Sequence, residues 1–102
     1  MENKHPEGQL QIELKDEIAQ GTYANLAIIT HSSSEFIFDF IRVMPGLPKA
    51  SVQSRIILAP EHAKRLLRAL EDNIRKYEAV FGPIDLNERS GIPPIGNLSG
   101  EA

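Results

Sequence analysis

At 102 residues the chain is one domain, too short for two independent cores. Its 11 basic and 14 acidic side chains leave a net charge of −3, which excludes a surface built throughout to grip phosphates. It has no cysteine, so disulfides and thiolate chemistry are excluded as well.

Residues 1–8 are polar, carry Pro6 and Gly8, and read as a disordered lead-in without the apolar run of a signal peptide. The domain itself is read over residues 9–82. Leu10, Ile12 and Leu14 alternate with Gln9, Gln11, Glu13 and Lys15, a period of two that predicts a half-buried first strand. Residues 16–21 break that pattern and end at Gly21, which suits a turn.

Residues 22–31 predict a second strand, with Leu26 and Ile28 on one face and Tyr23, Ala27 and Ile29 on the other. The polar run from His31 to Ser34 suits a hairpin loop. In a third strand, residues 35–43, Phe36, Phe38 and Phe40 point one way and Ile37, Asp39, Ile41 and Val43 the other. These are three of the four phenylalanines in the chain, so the core should centre on them.

Pro45, Gly46 and Pro48 interrupt any ladder and mark a loop. Residues 49–58 predict a fourth strand, with Ala50, Val52, Ser54, Ile56 and Leu58 sharing one face and Ser51, Gln53, Arg55 and Ile57 the other. Short connections make the neighbours antiparallel.

Pro60 opens a helix at a position where its missing N–H costs nothing, and Glu61 suits the positive end of the helix dipole. Ala63, Leu66, Leu67, Leu70, Ile74, Tyr77 and Phe81 recur every three or four residues as one stripe, which Gly82 and Pro83 stop. The predicted fold is α+β: a four-stranded antiparallel meander sheet followed by one long amphipathic helix packed on it. Residues 83–102, rich in Pro, Gly, Ser and Asn, read as a flexible tail, with an arm lying on a neighbouring subunit as the other reading.

One helix lying on the phenylalanine face leaves Tyr23, Ala27, Ile29, Ile37, Ile41 and Val43 facing water. Monomers rarely expose apolar patches of that size, and a two-fold dimer through this second face is the expected cover.

Asp39 stands out on that face, because an unpaired carboxylate among isoleucines is costly. If the third and fourth strands pair about the Gly46–Leu47 turn, Arg55 comes nearly opposite it, so the two form a candidate interface ion pair. His31, Ser32–Ser34 and Asp39 include the residue types of a hydrolytic triad, but no nucleophile turn surrounds the serines. His5, His31 and His62 are scattered without metal spacing. The helix charges fall at i,i+4 in Glu61–Arg65, Arg68–Asp72, Glu71–Arg75 and Asp72–Lys76, a self-paired, water-facing surface. No aromatic platform accompanies the cations, which disfavours nucleic acid. The sequence points to no catalytic residues, cofactor or metal.

Four segments together resemble a known family: residues 23–28 (Tyr-Ala-Asn-Leu-Ala-Ile), the Asp39-Phe40 strand, Met44-Pro45-Gly46, and residues 59–67 (Ala-Pro-Glu-His-Ala-Lys-Arg-Leu-Leu). It is a widespread group of short bacterial and archaeal proteins catalogued as a domain of unknown function, and the resemblance implies no catalytic residues. The order of four strands and a helix is also similar in architecture to the export chaperone SecB, which implies dimers and tetramers that hold unfolded chains. This chain departs from SecB in lacking a second C-terminal helix and in being less acidic.

The reading that follows is a small cytoplasmic homo-oligomer without catalytic activity, a binding or scaffold module with room for a protein or peptide partner and no membrane span. The alternatives are a SecB-like holdase, and an enzyme or ligand site at the dimer interface around Asp39 and Arg55.

Overall fold

The computed structural model describes residues 10–87; the lead-in over 1–8 and the tail beyond 87 lie outside the described residues. Five elements follow in order: α1 (Asp16–Ala19), β1 (Leu26–His31), β2 (Phe36–Arg42), β3 (Ser51–Leu58) and α2 (Pro60–Phe81). The strands form one antiparallel sheet in the order β1-β2-β3.

The sheet therefore has three strands among the described residues, not four. Residues 10–15, expected as the first strand, join no ladder, and Leu10, Ile12 and Leu14 are 77%, 59% and 63% exposed. A period of two says which face a strand would bury. It does not supply the neighbouring edge that a strand needs. Instead the chain enters the four-residue α1, whose Ile18 and Ala19 N–H groups donate to the Lys15 carbonyl, and turns at Gly21 with φ +81°.

β1 is also shorter than expected, because Asn25 ends the ladder. Its backbone N–H donates to the Ile41 carbonyl at 3.0 Å. Its side chain accepts from Val43 N–H at 2.8 Å and donates to the Val43 carbonyl at 3.0 Å. The amide thus does for Val43 what a further strand residue would do. Tyr23 falls outside the strand and is 68% exposed.

Both hairpins follow from their turn residues. Ser32 N–H donates to the Glu35 carbonyl, closing the serine loop between β1 and β2. Between β2 and β3, Leu47 N–H reaches the Met44 carbonyl, with Pro45 and Gly46 at the two central positions and Gly46 at φ +85°. That is the arrangement of a type II turn, which requires a positive φ where the glycine sits.

The register corrects two assignments of face. Ala27 and Ile29 oppose Phe40 and Phe38, so they lie on the phenylalanine face and not on the face of Ile37. An irregularity between Phe40 and Ile41 leaves Gln53 as an extra residue: Ser54 opposes Phe40, but Val52 opposes Ile41. Val52 thereby leaves the face of Ser54 and Ile56. Phe38 on one side and Ile41 on the other are the buried apolar residues, and no described side chain is fully buried.

α2 starts where expected. Ala59 is extended, Pro60 occupies the first turn, and Gly82 ends the helix at φ +93° with its N–H on the Glu78 carbonyl. The helix leaves most of its apolar side chains exposed, and none of its residues is buried.

Replacing Asn25 with Ala removes both bonds to Val43. It should lower stability by about 1 kcal/mol, read as a lower urea midpoint at unchanged slope. Asn25→Asp, which keeps the acceptor for Val43 N–H, should lose less.

Candidate interaction site: the groove beside the helix and the Asp39–Arg55 fork

The sheet's phenylalanine face is left partly open beside α2, with Ile29 38% and Ile56 44% exposed. Between helix and sheet runs a groove of about 340 Å³, walled by Ile29 of β1, Phe36 and Phe38 of β2, and Pro60, Ala63, Lys64, Leu67 and Leu70 of α2. Its walls are apolar apart from the Lys64 ammonium, the character of a surface that takes another apolar group. His31 stacks on Phe36 beside it, with ring centroids 5.3 Å apart.

Ile29 was expected on the second face, and its place in the groove was readable from the hairpin. A loop centred between Ser33 and Ser34 sets Ile29 opposite Phe38. Lys64 gave no such signal, since its relation to the sheet depends on how α2 is inclined.

The opposite face carries the ion pair. Asp39 and Arg55 are register partners, and Ile28 is the partner of Asp39 on the other side. Arg55 donates from Nε to Asp39 Oδ1 at 2.7 Å and from Nη2 to Oδ2 at 2.9 Å. The carboxylate is 13% exposed and the guanidinium 60%. The hydrogen bonds from Arg55, helped by its charge, hold Asp39 below the ordinary aspartate value of 3.8, outweighing the loss of hydration. The same pair raises Arg55.

On this face Ile37 is half-buried and Ile41 buried, while Val52 and Ile57 of β3 are 53% and 52% exposed. The groove lies on the other side of the sheet. No convergent set of acid, base or nucleophile therefore gathers at Asp39, and no cluster of three His, Cys, Asp or Glu side chains forms among the described residues.

On the outer surface of α2, Arg65 pairs with Glu61 at 2.7 Å. Asp72 takes Lys76 at 3.1 Å and Arg75 at 3.5 Å, and Lys76 is the main cause of its lowered pKa. The expected Arg68–Asp72 and Glu71–Arg75 pairs do not close, because Asp72 is already held by the two cations that follow it. Beyond the helix end, Glu78 accepts Ile84 N–H at 2.8 Å.

A carboxylate with a depressed folded-state pKa contributes stability above its unfolded value, and that stability is lost as pH falls through the folded value. Wild type and Asp39→Asn should thus differ in melting temperature at neutral pH. The gap should close below about pH 4, as Asp39 is protonated in the wild type. Parallel curves from pH 6 to pH 2 would show that the fork adds nothing.

No helix among the described residues is long and apolar enough to cross a membrane. No curated protein and no solved structure matches the chain. A family model does match it, over residues 1–86, which takes in α1, the whole sheet, α2 and the walls of the groove. The chain belongs to this family, described as proteins of unknown function (DUF3467).

Proposed function

We propose that the protein is a homo-oligomeric binding or scaffold module without catalytic activity, whose subunit is completed by a second copy. One observation carries this reading: the apolar stripe of α2 is left largely bare by the described residues of its own subunit. From Leu66 to Phe81 its large side chains remain between 37% and 73% exposed. They present on the order of 700 Å² of apolar area, close to the ~800 Å² that each partner gives to a standard protein interface. A lone helix with such a stripe is marginal in water, since most helical stability comes from packing that stripe.

The helix side, with its groove and its run of exposed apolar residues, is the better candidate for the contact. In this reading the Asp39–Arg55 fork fixes strand register and satisfies a carboxylate, and performs no chemistry.

The same exposed stripe and apolar groove favour a second reading, a holdase that takes unfolded segments. Such a protein would suppress aggregation of a heat-labile client at near-stoichiometric ratio, and an unchanged aggregation curve removes this reading.

Sedimentation at several concentrations should report twice the 11.3 kDa subunit mass at micromolar protein, with a melting temperature that rises with concentration. Leu70→Asp should weaken association at least tenfold, since it places a charge in the centre of the stripe. A cooperatively folded single subunit at those concentrations overturns the proposal.

A further inference from the structure

The helix also carries information about how the second copy sits. We infer that the partner's α2 runs antiparallel to α2 about a two-fold axis at the level of Asp72, lying over the open part of the phenylalanine face; this rests on the dimer reading above. Three observations converge on that register.

The first is size. A two-fold at this level sets Leu70 against the partner's Ile74, Leu67 against the partner's Tyr77, and Ala63 against the partner's Phe81. The small side chain meets a large one, and the layers between are of middle size, as a close-packed seam requires.

The second is charge. Taking 100° per residue, Lys64, Glu71, Arg75 and Glu78 fall along one flank of the stripe. In the antiparallel register Lys64 comes within two residues' rise, about 3 Å, of the partner's Glu78. Glu71 comes equally close to the partner's Arg75. The symmetry repeats both, giving four pairs of opposite sign. Neither Lys64 nor Glu71 has an ion-pair partner among the described residues of its own chain. A parallel arrangement instead sets this flank against Ala69, Asn73 and Val80, which offer no charge.

The third is space. Ile29 of β1 and Phe36 and Phe38 of β2 form the sheet wall of the groove beside α2, and Ile29 stays 38% exposed. A second helix beside the first would cover that wall.

The test exchanges charges and leaves the stripe intact. Within one helix Lys64 and Glu78 are fourteen residues, about 21 Å, apart, so they cannot compensate each other inside a subunit. Lys64→Glu alone and Glu78→Lys alone should each weaken the homodimer by roughly tenfold, since two attractive pairs become repulsive. Glu78→Lys also loses the bond to Ile84, in every partner it meets. An equimolar mixture of the two single variants restores opposite signs at both contacts, so heterodimers should form in preference to either homodimer. The Lys64→Glu/Glu78→Lys double variant should likewise regain most of the wild-type affinity. Sedimentation of tagged mixtures reads the result. If the wild type is a dimer but the single variants match it, or the mixture shows no preference, the antiparallel register is wrong and the dimer reading stands. A monomeric wild type removes both.

Discussion

The architecture turns on a mismatch between α2 and the sheet beside it. Twenty-two residues of helix, ~33 Å long, carry an apolar stripe along their whole length, while none of those residues is buried. Hydrophobic burial is the main favourable term in folding and grows with the area removed from water. A subunit whose buried apolar residues, among those described, are Phe38 and Ile41 leaves most of that term unused. The groove, the exposed phenylalanine-side residues of β1 and the bare stripe are three aspects of this one deficit.

The sheet, in contrast, is locally well specified. The serine loop, the Pro45-Gly46 turn and the Asn25 clasp each fix one end of a strand pair. The Asp39–Arg55 fork adds a directional constraint in the middle. Charge-assisted bidentate bonds have strict geometry, and a one-residue slip between β2 and β3 would separate the pair and leave a mostly covered carboxylate among isoleucines. The fork is thus better understood as a specifier of register than as chemistry. The rigid three-stranded sheet then holds Ile29, Phe36 and Phe38 in place as one wall of the groove.

Antiparallel pairing, the two turns, both ends of α2 and the Asp39–Arg55 juxtaposition were all legible in the residues, because each depends on contacts close in sequence or on simple strand register. The failures are equally specific. Leu10, Ile12 and Leu14 alternate as a strand would, but alternation cannot show whether an edge receives it, and none does in this sheet. The faces of Ala27 and Ile29 depend on where the serine loop is centred, and that of Val52 on one extra residue at Gln53. Periodicity within a single segment is blind to both.

The sequence by itself determined the α+β character, the amphipathic helix with its proline start and glycine stop, and the excess of apolar surface over what one helix can cover. These follow from composition and from periods of two and 3.6, which are properties of the chain near each residue. Only the tertiary structure decided which surface is left bare. Where α2 comes to rest sets Ala63, Leu67 and Leu70 across from Ile29, Phe36 and Phe38, residues distant in sequence, and no local pattern encodes that placement. It forms the groove and leaves most of the helix stripe exposed.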